Sequence, residues 1–121
     1  MKKLFFSLFI PTILFSQQWK IDSLFKRADA IKRQSKNFFL DTDFVNTLNH
    51  LAWELQYNDP DTALYFVRQS LPLAQRTNYK TGIANSYNAL GSIYAGIGEN
   101  DTALIYYRKC LGIRDELHDE K

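Results

Sequence analysis

The sequence predicts an all-α fold, a solenoid of antiparallel helix pairs with about five helices after a signal peptide. Two observations carry this prediction. The tetrapeptide Asp61–Leu64 (DTAL) recurs forty residues later as Asp101–Leu104, and apolar residues around both copies recur at three- and four-residue spacing. With 121 residues, of which 45% are apolar and 23% charged, the chain has room for one globular domain and not for a large two-domain enzyme.

Residues 1–16 have the layout of a secretory signal peptide. Lys2 and Lys3 precede twelve uncharged residues, 4–15, and polar residues return at Ser16, after which we expect cleavage. Twelve residues rise only about 18 Å as a helix, which is short of the ~30 Å hydrocarbon core of a bilayer. A membrane span is therefore not predicted here, and the alternative is a buried N-terminal core helix.

Residues 17–40 are predicted to form a capping half repeat with one helix at about 22–36. An apolar stripe formed by Ile21, Leu24, Ala28 and Ile31 would cover the first full repeat. The lysines and arginines around this stripe favour a solvated outer face over a nucleic-acid patch. Without the signal peptide, 13 basic residues balance 13 acidic ones, so the net charge gives no support for nucleic-acid binding.

Two full repeats follow, at residues 41–79 and 80–118, and residues 119–121 would begin a truncated third. The spacing predicts helices at about 42–57 and 61–77 in the first repeat, and at about 81–97 and 101–117 in the second. The polar junctions 58–61 and 98–101 supply helix N-caps. Pro72 lies inside the second of these helices, where we expect a kink or the end of the regular helix.

The second copy resembles a tetratricopeptide repeat (TPR). The family's pattern, W-x2-L-G-x2-Y followed by Ala, x3 and an aromatic residue, is matched by Tyr87, Leu90, Gly91, Tyr94, Ala103 and Tyr107, and the next small position is Cys110. The first copy matches more weakly through Leu51, Ala52 and Ala63. The resemblance implies that these residues pack the paired helices, with the small ones allowing close approach.

The whole layout also resembles the N-terminal sensor region of bacterial TPR-containing two-component histidine kinases and regulators. That resemblance implies export to the periplasm, or to the periplasmic face of the inner membrane, of a Gram-negative bacterium. Contact with the membrane would then run only through parts that are not present in residues 1–121.

Signs of catalytic chemistry are missing from the sequence. Neither GxGxxG nor GxxxxGK occurs, so no nucleotide cofactor is expected. His50 and His118 lack the spacing of metal ligands, and Cys110 occupies a packing position, where an inert thiol is expected. We therefore expect no cofactor, no metal site and no enzymatic activity in this segment.

Binding of a protein or peptide is the predicted function. In TPR proteins, side chains of the first helix of each repeat line a concave groove. The resemblance places eight candidate partner-binding residues there: Asn46, Asn49, Trp53, Gln56, Tyr57, Asn85, Asn88 and Ser92. Lysine and arginine are missing from this set, which argues against a clamp for a C-terminal carboxylate.

Several alternatives stay open at this stage. Trp53 and Tyr57 could instead pack against the neighbouring repeat. The module could be the exported sensory or scaffold part of a membrane-anchored signalling protein, a stand-alone periplasmic adaptor, or the front of a histidine kinase whose catalytic domain follows residue 121. With two full repeats and one half repeat, stability would be marginal, and self-association is an additional expected contact.

Overall fold

The computed structural model describes residues 2–119, with side chains for residues 15–118. In this range the chain forms five α-helices and one 3-10 turn: α1 (Lys2–Gln34), the 3-10 turn (Phe38–Leu40), α2 (Thr42–Leu55), α3 (Pro60–Arg76), α4 (Lys80–Gly96) and α5 (Asn100–Asp119). No β-strand occurs among these residues. The predicted all-α solenoid is therefore confirmed.

The bounds of α2 to α5 lie within about two residues of the predicted ones, because local chemistry fixes where the helices start. Asp41 caps α2 by accepting a hydrogen bond from the Asp43 backbone N–H at 2.8 Å. Asp59 caps α3 by accepting from the Thr62 N–H at 3.1 Å, and Pro60 follows it as the first helical residue.

Helix α3 does not end at its internal proline. The helix continues through Pro72 to Arg76, although Pro72 has no backbone N–H to donate. The α3–α4 and α4–α5 turns each contain one residue with positive φ, Asn78 at 50° and Gly98 at 87°. Asparagine and glycine are the residues that best tolerate this left-handed conformation, so both turns reverse the chain at little cost.

Helix α1 is a single element that runs from Lys2 to Gln34. Its Ile21 and Ala28, each 7% exposed, belong to the hydrophobic core, and Leu24 and Ile31 pack against that core. This is the stripe predicted for the capping half repeat. The predicted signal peptide, residues 1–16, falls almost entirely outside the residues whose side chains are described, and it stays a prediction.

The repeat-signature residues pack the helix pairs together. A Cβ atom on Gly91 would lie 2.6 Å from the Tyr107 ring, so only glycine allows this approach of α4 and α5. Tyr94 stacks on Tyr106 with ring centroids 5.6 Å apart. The other small or apolar signature positions are buried: Leu51, Ala52, Ala63, Leu90, Ala103 and Cys110.

The two copies of the repeat differ in their surroundings. Leu64 in α3 is 8% exposed, whereas Leu104, its counterpart forty residues later in α5, is 47% exposed. Helix α3 packs against both α2 and α4, and α5 packs chiefly against α4. Helices α2 and α4 also contact each other directly, which places the first helices of the two repeats side by side.

Candidate functional site

A cleft of about 130 Å³ lies between α2 and α4, on the face formed by the first helices of the repeats. Five of the eight predicted partner-binding residues line it, together with two residues that were not predicted, His50 and Ala89. The predicted residues in the cleft are Asn46, Asn49, Trp53, Asn85 and Asn88. The repeat register therefore brings the amide side chains of both repeats to one place.

Three of the four asparagines keep hydrogen-bonding capacity for a ligand. Asn46 Oδ1 accepts from the Tyr79 hydroxyl at 3.0 Å, and Asn85 Oδ1 accepts from Arg114 at 3.3 Å. Each bond orients an amide through its oxygen, and no described residue accepts a hydrogen bond from either NH₂ group. Asn88 forms no side-chain hydrogen bond with any residue that the structure describes, so its amide can both donate and accept.

Asn49 faces the interior instead. It is 6% exposed, and its Oδ1 accepts from the hydroxyls of Ser70 at 2.6 Å and Ser86 at 3.0 Å. Its Nδ2 donates to the Gly82 carbonyl at 3.3 Å. We call Asn49, Ser70 and Ser86 the polar clamp, because they join α2, α3 and α4. Asn49 thus contributes to the cleft wall while its polar atoms are already paired.

Three predicted residues lie outside this cleft. Gln56 is 4% exposed, donates to the Trp53 carbonyl at 3.0 Å and accepts a hydrogen bond from the Ser92 hydroxyl. Gln56 and Ser92 therefore link α2 to α4 below the surface. Tyr57, just beyond the end of α2, is 75% exposed and does not line the cleft.

A second, larger cleft of about 380 Å³ adjoins the first and extends it towards α1. The two clefts share His50 and Trp53, and the second adds Trp19 from α1. Trp53 is 48% exposed and Trp19 is 67% exposed. Two solvent-exposed indoles on one continuous surface can hold an apolar or aromatic side chain.

Trp19 and His50 line these clefts but were not predicted from the sequence. Neither occupies a groove position of the repeat, so the repeat register gives no signal for them. The tryptophan in the capping half repeat was a weak signal of a binding role. A helix that only covers the core of the next repeat does not need a large, exposed aromatic side chain.

The side chains that line the cleft between α2 and α4 are mainly neutral amides and apolar groups. No carboxylate, lysine or arginine is among its lining residues. Across the described residues no group of histidine, cysteine and acidic side chains is arranged to hold a metal ion. Cys110 is buried, with its Sγ 3.2 Å from the Nε of Arg114. The cleft is thus suited to neutral hydrogen bonding and apolar contact.

One acidic group elsewhere has a shifted pKa. The Thr62 hydroxyl and then the Thr62 backbone N–H donate to the Asp59 carboxylate, and these bonds hold its pKa below the ordinary value of 3.8. This shift belongs to the cap of α3 and not to the cleft.

Comparisons with known proteins identify two relatives. An uncharacterized protein, ycf37, from Guillardia theta is 33% identical over 105 residues, which are 86% of this chain and 57% of that protein. Tetratricopeptide repeat protein 29 from Trypanosoma brucei brucei is 32% identical over 65 residues, 54% of this chain and 14% of that protein. The chain thus spans about half of the first relative's length and a smaller part of the second.

The fold is TPR-like. The helix pairs, the small-residue contact at Gly91 and the similarity to tetratricopeptide repeat protein 29 all agree on this point. No protein-family model matches the chain. No solved structure matches it either.

None of the helices in the described part of the chain is long and apolar enough to cross a lipid bilayer.

Proposed function

We propose that this TPR-like module binds an extended peptide segment of a protein partner in the cleft between α2 and α4. The observation that carries the proposal is the set of amides on both walls of the cleft. Asn46 and Asn85 have unused NH₂ groups, and Asn88 has a wholly unused amide. A peptide backbone presents one acceptor and one donor per residue, which such amides can match.

The adjoining cleft supports an anchor for one large apolar side chain of the peptide. Trp19 and Trp53 supply exposed aromatic surface, and binding energy in protein interfaces concentrates on such residues. Neutral amides, and not cations, line the cleft between α2 and α4, which supports the backbone of an internal peptide segment as its ligand.

The partner-binding role is tested by selecting peptides from a random twelve-residue library on the wild-type protein. Their dissociation constants are then measured by fluorescence anisotropy. Asn88→Ala combined with Trp53→Ala should weaken binding at least tenfold, because it removes one free amide and one aromatic anchor. Tyr65→Ala is the matched control, since Tyr65 is also an exposed aromatic residue (59%) but lies in α3 and lines neither cleft.

Two results would contradict this role. One is equal affinity in the double variant and the wild type, with far-UV circular dichroism unchanged. The other is equal weakening in the Tyr65→Ala control. Either result would show that the peptides bind elsewhere.

We further propose that the module is the exported sensory or scaffold part of a membrane-anchored signalling protein, on the periplasmic side. The cationic start and the uncharged residues 4–15 support export. A bound peptide would change the curvature of the stacked helices and so bias a distant output module. A stand-alone periplasmic adaptor and the front end of a histidine kinase are the alternative contexts.

Export is tested by fusing residues 1–30 to an alkaline phosphatase without its own signal peptide, in a Gram-negative host. The phosphatase requires disulfides that form in the periplasm, so activity reports export. We expect activity from this fusion and none when residues 4–15 are deleted. Equal activity in the two fusions, or none in the first, would exclude a functional signal peptide.

A further inference from the structure

A cleft of about 370 Å³ lies apart from the peptide-binding face, where α3 meets the end of α1 and the 3-10 turn. It shares no lining residue with the two clefts described above. Its apolar surface comes from Phe38, Phe44, Pro72 and Leu73. Phe44 is 2% exposed and meets the Phe38 ring edge-to-face at 5.1 Å, so this surface is continuous with the hydrophobic core.

Three cations surround this apolar surface, namely Lys32, Arg68 and Arg76, and no carboxylate lines the cleft. Lys32 Nζ lies 5.6 Å from the centre of the Phe44 ring, which holds the ammonium group over the cleft. The ion pairs Arg27–Asp43 and Lys80–Glu116 include none of these three cations. Three exposed cations therefore line one cleft with no ion-pair partner among the described residues.

Helix dipoles explain only part of this arrangement. Lys32 and Arg76 lie in the last turns of α1 and α3, where a positive charge is favoured. Arg68 lies in the middle of α3, where no such benefit exists. A neighbouring cleft of about 360 Å³ on α1 differs in both respects. Its cations Lys26 and Arg33 share the lining with a carboxylate, Asp29, and no aromatic ring lines it.

We propose that the cleft lined by Lys32, Arg68 and Arg76 binds a small organic anion with a ring-sized apolar body and one carboxylate, sulfonate or phosphate group. The apolar body would lie on Phe38, Pro72 and Leu73, which line the cleft and are not buried. The anionic group would accept hydrogen bonds from the guanidinium groups, which pair well with planar and tetrahedral oxyanions. The volume of about 370 Å³ lies within the usual range for small-molecule sites.

The test uses two fluorescent probes with the same apolar body, titrated into the full chain. The probe 8-anilinonaphthalene-1-sulfonate carries the anion, and N-phenyl-1-naphthylamine lacks it. Arg68→Gln with Arg76→Gln should raise the dissociation constant of the sulfonate about tenfold, since each partly exposed charge contact contributes about a factor of three. The neutral probe should bind this variant as it binds the wild type.

The matched control is Lys26→Gln with Arg33→Gln, which removes the same charge from the neighbouring cleft. We expect its affinity for the sulfonate to stay within about a factor of two of wild type. Equal weakening in the two double variants would overturn the proposal, because it would reveal a general charge effect. Unchanged sulfonate affinity in the Arg68/Arg76 variant would also overturn it, and Lys32→Gln provides an independent variant for the same comparison.

Displacement of the bound sulfonate identifies the kind of ligand. Displacement by 1-naphthoate supports a small organic anion. Displacement only by an acidic, phenylalanine-containing peptide, with 1-naphthoate inactive, would overturn the small-anion assignment in favour of a peptide.

Discussion

Replacing Asn49 with alanine should destabilise the protein by about 2–3 kcal/mol, because it removes the centre of the polar clamp. Asn49 receives hydrogen bonds from Ser70 and Ser86 and donates one to the Gly82 carbonyl, all in a buried setting. The three bonds together contribute about 3 kcal/mol net, and the cavity left by the amide adds about 1 kcal/mol.

Part of this loss is recovered by the serines within their own helices. The Ser70 hydroxyl also lies 3.2 Å from the Val67 carbonyl, and the Ser86 hydroxyl lies 2.9 Å from the Gly82 carbonyl. Both hydroxyls therefore keep an acceptor when the Asn49 amide is gone, which brings the expected cost down to the stated range.

Thermal and urea unfolding followed by circular dichroism at 222 nm measure this cost. For a domain of this size the Tm should fall by about 10–15 °C. Asn88→Ala is the matched control, because Asn88 lies on the same face with an unpaired amide, and it should change stability by less than about 0.5 kcal/mol. If Asn49→Ala and Asn88→Ala melt within about 3 °C of each other, the polar clamp does not stabilise the helix packing.

Two further predictions concern a close helix contact and a helix cap. Gly91→Ala should lower the free energy of unfolding in urea by about 1–3 kcal/mol, because the added Cβ would meet the Tyr107 ring. Gly112→Ala is the control: it has open space around it and should be neutral or stabilising by up to about 1 kcal/mol. Equal effects of the two substitutions would contradict the close contact. Asp59→Asn should lower the Tm at pH 7. The difference from wild type should shrink as the pH falls through the depressed pKa of Asp59, since the stabilising carboxylate then becomes protonated. A difference that does not shrink on acidification would show that charge is not the cause.

The helices could be predicted because the signals for them are local. Helix α3, for example, starts at the Asp59 cap and the proline that follows it. The DTAL segment begins the same kind of helix in each copy of the repeat. The approach of α4 and α5 at Gly91 was predictable for a related reason, since a glycine inside a helix is costly unless the packing requires it.

The cleft could be predicted only in part. Repeat register predicts Asn46, Asn85 and Asn88 on one face, and they line one cleft because α2 and α4 lie side by side. The inward orientation of Asn49 depends on Ser70 and Ser86, which lie 21 and 37 residues away on other helices. Tertiary packing decides which hydrogen-bond partner a buried polar side chain finds. The periodicity of the sequence carries no information about that partner.

The unequal exposure of Leu64 and Leu104 has a consequence for how the two repeats can change. Duplication copied the leucine but not its surroundings, so the same residue is 8% exposed in the inner copy and 47% exposed in the outer one. A polar substitution that disrupts the core at Leu64 is expected to leave the fold intact at Leu104. Within the part of the chain that the structure describes, similarity between the two copies therefore does not imply an equal packing constraint, since the same leucine is buried in one copy and exposed in the other.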